Sequence, residues 1–148
     1  MTLSCFACQT VRGEATAPGG VVYENEYWLA DHCIGAMGIG SIVVKTKAHR
    51  ENLWELTAEE STTLGPTFRL ISEAIVHALG AERVYVTLWV DQSPYHVHFV
   101  LQPRYPEPAE WNLKGWQLQS MRNLQGTPDP LQMAEAARKI RLYLQNRE

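Results

Sequence analysis

The stretch from Asp91 to Arg104, DQSPYHVHFVLQPR, constrains the fold more than any other part of the chain. Alternation along it puts His96, His98, Val100 and Gln102 on one face of a strand, with Val97, Phe99 and Leu101 on the other. The apolar face suits packing under a helix. Two imidazoles two residues apart are an uncommon thing to place on the opposite face for packing alone. On a strand, such a pair points to a metal or catalytic cluster.

The flanking segments supply the rest of such a sheet. Arg83 to Val90 alternates around Val84, Val86, Leu88 and Val90 and has the strongest strand propensity in the chain. Asp91-Gln92-Ser93-Pro94 is a short polar loop, so this strand and the histidine strand pair antiparallel. Val21-Val22-Tyr23-Glu24 and Tyr27-Trp28-Leu29-Ala30 read as a hairpin turning at Asn25-Glu26. Ser41 to Val44 is a third short strand on this side. Between them, Asp31 to Gly40 is turn-rich, but its glycines fit no phosphate-loop spacing, so it reads as a connecting loop with His32 at a turn or the surface.

Two helices complete the pattern. Thr57 with Glu60 three residues on is a capping box, and Leu64, Phe68, Ile71, Ile75 and Ala78 recur at helical spacing up to Leu79, with Gly80 beyond the end. Gly65-Pro66 is expected to kink this helix or break off its first turn. His77 within it receives no role. Thr127-Pro128-Asp129-Pro130 opens a second helix with Leu131, Ala134, Ala137, Ile140 and Leu144 on one side. From Pro103 to Gly126 the chain reads as irregular; Trp111 and Trp116 there are structural cover, or line a ligand or a dimer contact. There are no internal repeats, and one α+β domain over residues 1–148 accounts for every segment.

Composition narrows the function. A hydrophobic share of 45% and a charged share of 20% belong to a globular protein, and 148 residues suffice for a sizeable core. A net charge of -3 gives no basic footprint for a nucleic-acid polymer, although a single nucleotide needs only a few local donors. No apolar run approaches the roughly 20 residues that span a bilayer, and no basic-then-apolar leader opens the chain, so a cytoplasmic protein is expected. Three cysteines, two as Cys5-Phe6-Ala7-Cys8, argue against a disulfide framework. That CxxC has only four residues before it, too few for the strand a thioredoxin-like motif follows, so it reads as half of a zinc site. Cys33 reads as a small buried side chain.

Cys5 and Cys8, His49 after a strand, and HxH on a later strand follow the order of the histidine triad (HIT) superfamily. The resemblance runs from Cys5 to about Arg104 and includes Gly40…Lys47-Ala48-His49, the capped long helix, Gln92-Ser93 ahead of the histidines, and the closing Pro103-Arg104. It implies an antiparallel sheet carrying one long helix, with residues 105–148 as a C-terminal extension ending in a helix. It also implies a structural zinc on Cys5, Cys8, His49 and His96, since the first histidine of the motif is a zinc ligand in zinc-binding members such as the galactose-1-phosphate uridylyltransferases. His98 falls on the histidine that attacks the α-phosphorus of a nucleotide. Gln92 and Ser93 match the loop residues that contact phosphate. The third histidine is replaced by Val100, and Gln102, one step along the same face, is the candidate substitute. The function implied is hydrolysis or transfer at the α-phosphate of nucleoside phosphate derivatives, such as dinucleoside polyphosphates or phosphoramidates. The alternative is a zinc-stabilised nucleotide-binding module without catalysis, and a pure interaction domain built on the tryptophan-rich tail is a third. Family analogy suggests a homodimer.

Overall fold

The computed structural model describes residues 4–147. Its frame is a five-stranded antiparallel sheet in the order β1-β2-β3-β5-β4. The strands are β1 (Val21–Glu24), β2 (Trp28–His32), β3 (Ile42–Thr46), β4 (Arg83–Thr87) and β5 (His98–Arg104). Helix α1 (Phe6–Val11) precedes the sheet, α2 (Ala58–Leu79) crosses between β3 and β4, and α3 (Gly115–Gln125) and α4 (Pro130–Asn146) follow β5. The architecture is α+β, as the sequence pattern predicts.

The long helix has the ends its sequence specifies. Thr57 accepts the Glu60 amide, Glu60 takes the Thr57 amide in return, and Gly80 closes the helix in the left-handed region at φ 74°. Contrary to expectation, Gly65-Pro66 does not break off the first turn: α2 is continuous from Ala58 to Leu79 through Pro66. The apolar face of β5 meets this helix as alternation requires. Val97 and Leu101 are fully buried, and the Phe99 ring meets Phe68 of α2 edge-on at 4.9 Å.

Three segments depart from the sequence reading. The first is Gly115–Gln125, expected to be irregular, which forms α3. Its buried residues are Leu118 and Arg122, and Arg122 donates to the Met37 carbonyl and the Glu110 carboxylate. An arginine used as a core residue gives no apolar stripe to detect. The second is α4, where the buried face is Met133, Ala136, Ala137 and Ile140, so Leu131 lies in solvent one turn too early to reach the core. This face packs against α2 and β1, and Ala137 and Ile140 share one core with Ile71, Ala74 and Ile75. Gly19 permits that approach: it sits at φ +83°, and a Cβ there would meet the Ala137 Cβ at 2.6 Å. The third is β4, which ends at Thr87, opposite Val100, rather than at Val90; Trp89 and Val90 leave the sheet and line the cavity described below.

Candidate functional site

The sheet face opposite α2 carries the chemistry, and register decides which residues share it. Lys45 of β3 stands opposite His98 of β5, while Val43 stands between Asp31 of β2 and Val100 of β5. Directly paired residues point to the same side of a sheet. Asp31, Val43, Lys45, His98 and Val100 therefore form one surface. Together with Cys5, Phe6 and Ala7 from the N-terminal segment and Trp89, Gln92 and Ser93 from the β4–β5 connection, they line a cavity of about 530 Å³. That volume lies within the range of small-molecule and cofactor sites.

At one side of the cavity, Cys5, Cys8, His49 and His96 converge, with all four ligand atoms within 4.8 Å of one another. Cys5 is the N-cap of α1, and its sulfur accepts the Cys8 amide, so the first turn of a short helix sets both thiols on one side. His49 follows β3. His96 precedes β5, and the bond from the Val97 amide to the Arg50 carbonyl (2.7 Å) ties the two histidine segments together. The Nε2–H of His96 donates to the Thr46 carbonyl at 2.8 Å, which leaves its Nδ1 as the bare nitrogen.

That Nδ1 lies 3.3 Å from Cys5 Sγ, 3.5 Å from Cys8 Sγ and 3.2 Å from His49 Nδ1; His49 Nδ1 lies 3.2 Å from Cys8 Sγ. A tetrahedral zinc with bonds of about 2.3 Å to sulfur and 2.0 Å to nitrogen separates S from N by about 3.5 Å and N from N by about 3.3 Å. The donor set and spacing thus fit a four-coordinate metal with no open position. Burial holds the His96 imidazole well below its ordinary range, at about 4, so it is neutral and ready to ligate at neutral pH.

His98 projects beside this cluster into the cavity. Its Nδ1–H donates to the His96 carbonyl at 2.8 Å, so in the neutral ring the lone pair belongs to Nε2. Gln92 and Ser93, both exposed, line the same cavity. Gln102 is not brought to it. One strand step beyond Val100, its amide donates instead to the Met37 carbonyl (2.9 Å) and to Gln119 Oε1 (2.6 Å) beneath α3. Position 100 itself is apolar, with Val43 opposite.

His32, expected at a turn or surface, is buried at the end of β2. Its Nδ1–H donates to the Cys33 carbonyl at 2.7 Å and its Nε2 accepts the Gly40 amide at 2.9 Å. It closes the loop the glycines form. Burial pushes its pKa down and that of the neighbouring Cys33 thiol up. The residues that sequence reasoning missed are Asp31 and Lys45, a buried ion pair at 2.9 Å on the cavity wall. The signal that could have found them is a lysine inside the otherwise strand-like run Ser41-Ile42-Val43-Val44-Lys45-Thr46. Burial pushes the Asp31 carboxyl up against the opposing pull of Lys45.

No protein-family model and no curated protein matches the sequence. Solved structures do match. A zinc-bound histidine triad family protein from Mycobacterium smegmatis superposes with a TM-score of 0.73 at 21% identity, covering 100% of both chains. A histidine triad nucleotide-binding protein from Sulfolobus tokodaii gives 0.74 at 19% identity, over 96% of this chain and 93% of its own. A HIT-like protein involved in cell-cycle regulation from Bartonella henselae gives 0.71 at 20%, over 93% and 94%. At these identities the likeness is one of fold: the chain has the fold of these histidine triad (HIT) proteins.

Proposed function

We propose that this protein binds a nucleotide in the cavity beside His98 and cleaves or transfers at its α-phosphate, with a structural zinc on Cys5, Cys8, His49 and His96. The carrying observation is the Nδ1–H bond from His98 to the His96 carbonyl, because it fixes the tautomer in which Nε2 is the nucleophile. In the step, the Nε2 lone pair forms an N–P bond while the bond from phosphorus to the leaving group breaks, and the leaving group takes the electron pair. Water or another acceptor then attacks phosphorus and the N–P electrons return to Nε2. Phosphoryl transfer depends chiefly on positioning and on donors to the equatorial oxygens, a role that falls to Gln92 and Ser93. Gln102 is left out because its amide is engaged elsewhere.

Zinc, when bound, neutralises the two thiolates and locks the N-terminal segment to the sheet. Support comes from the ligand spacing and from the Mycobacterium smegmatis neighbour, which is zinc-bound; the Sulfolobus tokodaii neighbour is named for nucleotide binding. Three cysteines that form no disulfide fit a reducing, cytoplasmic setting. Among the described residues no helix is long and apolar enough to cross a membrane. Residues 1–148 are taken as one folding unit, which works as a homodimer.

The test is incubation with a panel of nucleoside polyphosphates and phosphoramidates, followed by mass spectrometry for a nucleotidyl adduct. The adduct is expected on His98, and His98→Asn should abolish turnover while leaving zinc content unchanged. Turnover surviving that substitution would refute the covalent mechanism. A second reading, binding without catalysis, is favoured by Val100, an apolar side chain where the superfamily keeps a polar one. Nucleotide bound without any cleavage would establish it.

A further inference from the structure

Helix α1 takes part in two sites at once. On one side it carries Cys8 in the four-residue cluster, with Cys5 as its N-cap. On the other, Thr10 reaches the cavity wall: its Oγ1 accepts the Lys45 ammonium at 2.8 Å while its own hydroxyl donates to the Ala7 carbonyl at 2.8 Å. Lys45 in turn grips Asp31 at 2.9 Å, with both side chains about 5% exposed. An ion pair buried this deeply is costly unless further hydrogen bonds complete its shell. The completing bond comes from α1, the helix whose first turn holds the metal ligands. Thr10, Lys45 and Asp31 therefore form a chain of polar contacts from the Ala7 carbonyl, in the turn between Cys5 and Cys8, to the wall that the ligand would meet.

We propose that Thr10 and Lys45 are positioning residues that couple the metal site to the ligand cavity, so that filling either site tightens the other. The proposal rests on the reading that the cavity binds a nucleotide. Without metal, the first turn of α1 loses the constraint on Cys5 and Cys8, Thr10 is no longer held against Lys45, and Asp31 loses its fixed position. With metal, the wall is organised before the ligand arrives. Coupling between sites is reciprocal, so zinc must raise nucleotide affinity by the same factor that nucleotide raises zinc affinity, a factor of about ten.

The experiment titrates zinc against a chromophoric chelator with and without AMP, GMP, CMP or UMP, in the natural protein, Thr10→Val and Thr10→Ser. Calorimetry of each nucleotide with the zinc-loaded and chelated forms supplies the reciprocal factor. The expected result is equal coupling in the natural protein and Thr10→Ser, and a factor near one in Thr10→Val with both sites still able to bind. A purely structural role for Thr10 would weaken each site without changing the factor. Zinc affinity unaffected by a bound nucleotide, or coupling that survives in Thr10→Val, overturns the proposal. If no nucleotide binds the zinc-loaded protein, it is the nucleotide reading that fails. The relay is then read with pyrophosphate as the cavity probe: zinc affinity raised by it in the natural protein and Thr10→Ser but not in Thr10→Val supports the relay, and a factor near one in all three proteins overturns it.

Discussion

Replacing Glu60 should destabilise the fold and loosen the Cys5–Cys8–His49–His96 cluster together, although Glu60 touches none of its four residues. Its carboxylate is almost fully buried. Oε1 accepts the Thr57 amide at 2.8 Å, which is half of the capping box of α2. Both oxygens also accept from Arg50 Nε, at 3.1 and 3.2 Å. Arg50 follows His49, and its carbonyl holds the Val97 amide next to His96. Glu60→Ala removes a neutral-donor bond of about 1 kcal/mol and a charge-assisted one of about 1.5 kcal/mol, the latter taken at the low end because Arg50 is one-third exposed. The loss should be about 2–3 kcal/mol, or roughly 5–10 °C in the thermal midpoint for a chain of this length. Glu60→Gln keeps an oxygen for the Thr57 amide and loses only the charge, so about 1 kcal/mol is expected. Urea denaturation of both variants, with chelator competition for zinc, checks the partition. Equal destabilisation by Gln and Ala would refute it, as would an Ala variant that binds zinc as tightly as the natural protein.

Cys5→Ser should lower zinc content and stability together, by about 4 kcal/mol or roughly 10 °C, read by metal analysis and calorimetry; protein purified without chelators that lacks stoichiometric zinc would contradict the assignment. His32 should titrate below the ordinary histidine range, because burial opposes its charge and its Nε2 must stay bare to accept the Gly40 amide. A folded pKa below the unfolded one means stability present at neutral pH and lost as pH falls below about 6.5, and a ring that titrates normally by NMR would rule this out. Val100→His should narrow a preference for polyphosphate-linked over alkylamine-linked nucleotides, since the latter need general-acid help worth about 10²–10⁴-fold. Equal turnover of both classes by the natural protein would show that another group already supplies the proton.

Where one local rule governs an element, the sequence is legible; where two sites share a residue, it is not. The ends of α2 follow from Thr57, Glu60 and Gly80, and the packing of β5 follows from alternation at Val97, Phe99 and Leu101. Thr57 and Glu60 say nothing, however, of the hold on Arg50, which depends on a segment packed from elsewhere. His32 shows the same limit. All five residues of β2 are buried, so alternation does not separate an inner from an outer face there, and a histidine at its end reads as surface. Helix α3 is invisible for the opposite reason: one of its two buried residues is Arg122, which pattern reading counts as solvent-facing.

The site divides along the same line. Cys5, Cys8, His49, His96 and His98 stand out through the order of motifs that resembles the histidine triad superfamily, and the first four of them converge in the fold. For Asp31 and Lys45 the sequence offers only a lysine inside a strand-like run, and their pairing lies in register: Asp31 is set beside Val43, and Lys45 opposite His98. Gln102 illustrates the converse error. Alternation correctly gives it the same face as His98, but a face is wider than a site, and two residues further along β5 the neighbour is α3 and the Met37 carbonyl. Position 100, where the resemblance leads one to expect a third histidine, is therefore bordered by Val43, and Gln102 does not reach it. The polar groups that line the cavity in its place come from β2 and β3, where Asp31 and Lys45 stand, and from Gln92 and Ser93 in the β4–β5 connection. Under the proposed function, a general acid is to be sought among those groups or in the substrate itself.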